Sequence, residues 1–456
     1  MEKTREIILE CLLQLEKGEV FSNVLIRQVL QKYDYFPQQD KAFIKRVTEG
    51  TVERRIELDY IIDQFSSVPV PKMKPLIREL LRMSVYQLFY MDAVPDSAVC
   101  NEAVRIAQKR RFQSLKGFVN GVLRSIARNK DKIVYPDERK DWGRALSVRC
   151  SMPEFLVELW EKDYGRERTE SMCRALLAMK PVSLRISEEL SETETERLIE
   201  EWRKKGIECE RHPYLPYACR CKNLEGVHRL PGFAEGIVTV QDVSSMLVTE
   251  CAGIKAGDFV LDVCAAPGGK SLHAACKLRG SGQVEARDVS EEKLAFVREN
   301  ISRTDEKNVR VKVWDARVFD EEMEGKADVL YLDLPCSGLG ILGKKRDIKY
   351  HVTKESMEEL VRLQREIISA CWRYVKPGGV IMYSTCTIHR AENEEQTEWM
   401  CGEFPLTPES LNPCLPEVLR CEEAKRGMLQ LVPGVHDCDG FFLARLRRKV
   451  EPESGT

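Results

Sequence analysis

Long apolar runs are missing from this 456-residue chain. Nowhere do about eighteen apolar residues follow one another, which excludes a transmembrane helix read from sequence. The first residues, MEKTREIILECLLQLEKGE, scatter charges among their apolar positions. They lack the unbroken apolar centre of an export signal, so a cytoplasmic, membrane-free protein is expected. An excess of one charge is missing too: 71 Lys and Arg stand against 73 Asp and Glu, a net charge of −2. That balance excludes a uniformly basic nucleic-acid coat but leaves room for local patches. Cysteine is plentiful, with 17 residues, but metal-ligand spacing is not. Cys219 and Cys221 form a C-x-C with no second CxxC or HxxxH nearby. No metal is expected, and the thiols read as reduced side chains without a disulfide framework.

What is present is globular composition, 43% hydrophobic and 32% charged, at a length that favours more than one core. Up to about residue 135 the pattern is helical. Ile7, Ile8, Cys11, Leu12 and Leu15 share one face, Gly18 can end that helix, and Ser22 can cap the next. Further helices are expected over 40–65, 73–91, 97–110 and 118–129, divided by proline-containing joints. Between residues 104 and 132 nine cations meet only Asp131: Arg105, Lys109, Arg110, Arg111, Lys116, Arg124, Arg128, Lys130 and Lys132. Such a stretch is either a phosphate-binding face or a solvated helix surface.

Residues 139–235 read as a small mixed α/β piece, with a strand at Val182–Ile186 and helices near 153–164 and 193–205. Beyond residue 236 apolar strands alternate with amphipathic helices, at 259–263, 283–286, 309–313, 329–332, 380–383 and 441–446. Alternation of this kind implies a mostly parallel sheet covered on both faces. The fold class is therefore multidomain: an all-α bundle over 1–138, a small α/β domain over 139–235 and a Rossmann-like domain over 236–450.

The chemistry sits at the strand ends. The first strand of the last domain runs into Cys264, Ala265, Ala266, Pro267, Gly268, Gly269 and Lys270. Small residues at a strand-to-helix turn admit a ligand close to the backbone, beside the unpaired N–H groups of a helix start. A Walker loop would need glycine where Cys264 stands, so that reading fails. Asp288 ends the second strand, where a carboxylate can accept ribose hydroxyls, and Asp315 follows the third, where it can accept an adenine amino group. Together they indicate a nucleoside cofactor. The fourth strand ends in Asp333-Leu334-Pro335-Cys336 and the fifth in Ser384-Thr385-Cys386, so two thiols and a carboxylate should converge beside it. From spacing alone either thiol could attack.

DVCAAPGGKS, DLPCSGLG, YSTCT with ENEE, and DGFFLARL resemble the RNA 5-methylcytosine methyltransferases, while SAVCNEAVRIAQKRR and GFVNGVLRSIAR are similar to the helical RNA-binding domain of the NusB antitermination factor. The combination resembles the Sun/Fmu family of bacterial 16S ribosomal RNA cytosine-C5 methyltransferases. The resemblance implies that S-adenosylmethionine is the cofactor, held by residues 264–270, Asp288, Asp315 and Asp333. It makes Cys386 the nucleophile and Cys336 the assistant in product release. Asp333, protonated or sharing a proton with the base, would stand between cofactor and target. It gives the basic face, from Arg105 to Arg128, to 16S ribosomal RNA, and a monomer is expected. Two departures from the family pattern are Leu334 and the stretch KKRDIKY. Retention of Arg346 and Asp347 there implies that substrate binding is kept. A tRNA methyltransferase shares the catalytic motifs, and a non-catalytic RNA-binding scaffold would be expected to have lost at least one of them.

Overall fold

Each helix in the amino-terminal third carries one apolar stripe, and burying these stripes against one another is what folds it. The computed structural model describes residues 2–178, 181–224 and 226–450. It divides into two compact units, Met1–Ala178 with Leu342–Val352, and Met179–Ile341 with Thr353–Thr456. The expected intermediate stretch 139–235 is thereby shared between the two.

The first unit is all-helical. Helices Glu2–Glu16, Ser22–Lys32, Gln38–Glu53, Arg55–Phe65, Pro75–Tyr90, Asp96–Lys109 and Lys116–Arg128 enclose a core that includes Ile8, Leu58, Ile61, Leu80, Leu81, Ile106 and Leu123. The helix expected over 40–65 is broken at Arg54, whose backbone (φ −97, ψ 12) is not helical. Helices Trp142–Cys150, Glu154–Tyr164 and Arg166–Leu177 follow, of which only the middle one was legible in the sequence.

A strap from far along the chain, Leu342–Val352, belongs to this unit. Arg346 pairs with Glu49 at 2.8 Å and with Glu53 at 2.9 Å. Asp347 accepts the Ser22 hydroxyl at 2.9 Å and its backbone N–H at 2.5 Å, and buried Lys349 donates to the Glu53 carbonyl at 2.8 Å. This corrects one expectation. Ser22 is not a cap but the first helical residue after Phe21, and its polar atoms are taken by Asp347. Arg346 and Asp347 both tie the strap down.

The second unit opens with a small antiparallel sheet of β1 (Val182–Ile186), β2 (Glu208–Arg211), β3 (Ala218–Lys222) and β4 (Val238–Val240), in the order β2-β3-β1-β4. Helix Glu192–Lys204, begun by a capping box of Ser191 and Glu194, buries Ile199 and Trp202 with this sheet in one core cluster. The main sheet contains β5 (Phe259–Asp262), β6 (Gln283–Asp288), β7 (Val309–Val313), β8 (Ala327–Asp333), β9 (Val375–Thr385), β10 (Leu406–Pro408), β11 (Met428–Leu431) and β12 (Phe441–Arg448). Its order is β10-β12-β9-β8-β5-β6-β7, with β11 paired to β12. Strands β5 to β9 are parallel and β12 is antiparallel to β9. The chain leaves β5 toward β6 and β7, then crosses to β8 and β9 on the other side. The crevice at the carboxyl ends of β5 and β8 is thus a topological switch point, where open α/β sheets bind ligands. No helix among the described residues is long and apolar enough to cross a membrane.

Candidate functional site

Parallel pairing decides which strand tips meet. Asp262 of β5 lies opposite Tyr331 of β8, and Asp333 of β8 lies opposite Ser384 of β9. The loop after β5 and the tips of β8 and β9 therefore form one edge.

In the loop, Gly268 has φ +102, and a Cβ there would come within 3.2 Å of Val297 Cγ1. The left-handed backbone calls for glycine, and the Val297 side chain leaves little room for a Cβ. Gly269 begins the helix Gly269–Leu278, with no side chain capping its start. Ala265 donates its N–H to the Arg287 carbonyl at 2.7 Å, Cys264 is half-buried, and the Ala266–Pro267 bond is cis. Asp262, at the root of the loop, is buried; Ser271 donates to its Oδ2 at 2.6 Å, and its Oδ1 has no hydrogen-bond partner among the described residues. Burial pushes this carboxyl up to about 7 against the Ser271 hydrogen bond. Asp288 is buried at the tip of β6, where Oδ1 accepts the Ser290 N–H at 3.2 Å. Asp315 is held below the usual carboxylate range by Arg317, which reaches it at 2.7 Å. A left-handed glycine, an uncapped helix start, an orphaned buried acceptor and two carboxylates on successive strand tips are a donor and acceptor set suited to an amino-acid-bearing nucleoside.

Asp333 has two partners at its strand tip. Lys270 pairs with its Oδ2 at 2.7 Å and Ser384 donates to its Oδ1 at 2.7 Å. Its carboxylate is thus tied to a residue of the cofactor loop. Cys336 and Cys386, both half-buried, bring their Sγ atoms to 3.4 Å. The Cys336 thiol is pushed well above its ordinary range, first by its hydrogen bond with Cys386, then by burial and by the charges of Cys386 and Glu392.

Behind the thiols lies a polar network that the sequence pattern does not announce. Ser337 Oγ stands 2.7 Å from Thr387 Oγ1, joining the residues that follow the two cysteines. Fully buried Glu392 accepts the Ser337 N–H at 2.9 Å and Gln364 Nε2 at 3.0 Å, and His389 Nδ1 lies 3.1 Å from its other oxygen. Gly340 donates to the Cys386 carbonyl at 3.0 Å and accepts from Gly440 at 2.9 Å. Glu392 belongs to the ENEE stretch, so the signal was in view; its partners were not.

The basic face is more compensated than a local count suggests. Arg105 pairs with Glu102, Lys109 with Glu6, Arg110 with Glu10 and Lys130 with Asp96. Arg111, Lys116, Arg124 and Arg128 make no ion pair among the described residues, and Arg124 bonds Asn120 at 2.9 Å. Elsewhere Glu188, Glu250 and His273 converge, with Lys277 Nζ 2.6 Å from Glu188 and 2.7 Å from Glu250, so the protein supplies its own cation there.

Comparison with known proteins gives three matched regions: the NusB family over residues 2–128, the RsmF/B-like ferredoxin-like domain over 152–227, and the 16S rRNA methyltransferase RsmB/F over 252–447. The probable ribosomal RNA small subunit methyltransferase B of Bacillus subtilis (strain 168) is 35% identical, covering 98% of this chain and all of that one. The corresponding protein of Synechocystis is 31% identical, covering 98% and 100%. Among solved structures, a methyltransferase homologue from Pyrococcus horikoshii is 26% identical with a TM-score of 0.56 over 68% of this chain and 99% of that one. The crystal structure of PH0851 shares the fold, with a TM-score of 0.81 over 98% of both chains at 24% identity. With these three regions matched in turn along the chain and relatives more than 30% identical over their full length, the chain belongs to the ribosomal RNA small subunit methyltransferase B family of S-adenosylmethionine-dependent enzymes.

Proposed function

We propose that this protein methylates carbon 5 of a cytosine in 16S ribosomal RNA through a covalent bond between Cys386 and carbon 6 of the base. The observation that carries the reading is the meeting of two half-buried thiols, 3.4 Å apart, beside the ion pair of Asp333 and Lys270. Transfer to a base amino group would have no use for either sulfur. The relatives' ribosomal RNA names, and the NusB-like unit that accompanies them, favour ribosomal over transfer RNA.

S-adenosylmethionine supplies an electrophilic methyl group on a sulfonium sulfur. The loop 264–270 would hold its methionine and ribose part, Asp288 the ribose hydroxyls and Asp315 the adenine amino group. Carbon 5 of cytosine is a poor nucleophile until something adds at carbon 6. The Cys386 sulfur, its proton lost to solvent, forms that bond and pushes electron density to carbon 5. The Cys336 S–H, held protonated beside it, can donate a hydrogen bond to the Cys386 thiolate before attack. Asp333 in its ion pair with Lys270 would orient the base edge. After carbon 5 is methylated its proton passes to water held by the Cys336 thiol, the electron pair of that C–H bond re-forms the ring double bond, and the carbon–sulfur bond to Cys386 breaks, returning the thiolate. A stacked cytosine cannot reach both sulfurs, so the substrate is an unpaired or extruded base.

The test is adduct formation with in vitro transcribed 16S rRNA on a denaturing gel. Cys386→Ala should abolish the covalent complex, and Cys336→Ala should accumulate it. The opposite pattern would exchange the two roles, and methylation by Cys386→Ala without any adduct would end the covalent reading.

A further inference from the structure

Resting on the methyl-transfer reading, we infer that Glu392 is a positioning residue for product release: it ties the loop of Cys336 to the loop of Cys386, so that the two sulfurs address neighbouring ring carbons. Its carboxylate touches both sides of this arrangement. One oxygen accepts the N–H of Ser337, the residue after Cys336, at 2.9 Å. The same oxygen accepts Gln364 Nε2 at 3.0 Å, and that amide also donates to the Pro335 carbonyl, the residue before Cys336, at 2.9 Å. The other oxygen accepts the Ser337 hydroxyl, which in turn lies 2.7 Å from the Thr387 hydroxyl, next to Cys386. His389 approaches that oxygen at 3.1 Å, and Tyr383 of β9 donates to the Glu392 carbonyl. Both flanks of Cys336 and the residue after Cys386 therefore hang on one fully buried side chain.

Stability alone gives little reason to bury a carboxylate here. Desolvating a charge is costly even with several donors around it, and apolar replacements of buried polar clusters are often neutral or stabilising. Its location explains its presence better. Carbons 5 and 6 are bonded neighbours, so the group that handles the carbon 5 proton must be fixed relative to the sulfur on carbon 6. The charge of Glu392 also contributes to holding the Cys336 thiol protonated.

The experiment uses the full chain, 16S rRNA transcribed in vitro and S-adenosylmethionine with a tritiated methyl group. Glu392→Ala should lower kcat about 100-fold, the scale of a misplaced reacting group. The affinity for S-adenosylmethionine should change less than about threefold, because the cofactor loop is not part of this network. Adduct should accumulate as it does for Cys336→Ala, since Cys386 can still add but release fails. Glu392→Gln should recover about tenfold, because the amide oxygen can keep the Ser337 N–H and Gln364 while the Ser337 hydroxyl turns to accept from the amide NH2. If Glu392→Ala does not fold, Ser337→Ala, which removes one hydroxyl only, should show the same adduct signature with a loss of about tenfold. A kcat within threefold of the parent, or a loss without adduct, overturns the proposal. If Cys386→Ala still methylates, the covalent reading itself fails; if Cys386→Ala is dead while Glu392→Ala turns over normally, only the role of Glu392 does.

Discussion

Gly340→Ala is the sharpest probe of how tightly the Cys336 loop must be held. A Cβ at Gly340 would lie 1.9 Å from the Gly440 carbonyl oxygen and 2.4 Å from its carbon, both backbone atoms that no rotamer can move aside. The two backbones must part by about 1 Å, and displacement of that size in an active site costs on the order of 100-fold in rate. Two hydrogen bonds are stretched by the same movement, Gly340 to the Cys386 carbonyl at 3.0 Å and Gly440 to Gly340 at 2.9 Å. At about 1 kcal/mol each they set the expected loss of stability at roughly 2 kcal/mol. The assay pairs methyl transfer to 16S rRNA with thermal unfolding and S-adenosylmethionine binding. The expected outcome is kcat down at least about 100-fold with cofactor affinity nearly unchanged. A variant that keeps kcat within threefold of the parent would refute the argument that these two glycines fix the thiol geometry.

The remaining predictions concern RNA and pH. Replacing Arg111, Lys116, Arg124 and Arg128 together with alanine should weaken RNA binding and reduce its salt slope by about 0.7 to 0.9 for each phosphate no longer neutralised, measured by filter binding across salt concentrations. Arg110→Ala alone should matter less, because Glu10 already compensates it. Asp262, raised to about 7 in the folded protein, keeps its proton where the unfolded chain has lost it. Stability should therefore fall as pH rises from about 4 to about 7, by on the order of 1 kcal/mol per pH unit, and level off above. Asp262→Asn, which retains an acceptor for Ser271, should flatten that decline in denaturant melts; an unchanged slope would mean that Asp262 is not its source.

The sequence was most informative where one local rule acts alone. β1 and β7 were bounded correctly because Val, Leu and Ile alternate with polar residues along them, the period of a half-buried strand. The placement of Asp288, Asp333, Cys336 and Cys386 at or just beyond strand ends followed from the alternation of strands and helices. β2 and β3, with sequences ECER and ACRCK, were missed because partners across the sheet stabilise these short segments more than their own composition does. The break at Arg54 has neither glycine nor proline to announce it. Ser22 looked like a cap because serine commonly is one, but its partner lies 325 residues away. Glu392 was visible as a letter in a motif, and Lys270 as the end of a loop. Their meaning depends on Ser337, Gln364 and Asp333, which only tertiary structure brings to them.

The strap Leu342–Val352 carries a consequence for biosynthesis. The helices of this unit are synthesised before its strap, and the groups that meet Ser22, Glu49 and Glu53 follow some 300 residues later. Domains commonly fold as they emerge, amino-terminal first. Here the contacts of Ser22, Glu49 and Glu53 with the strap can form only after that later peptide, which runs on from Cys336, has been made.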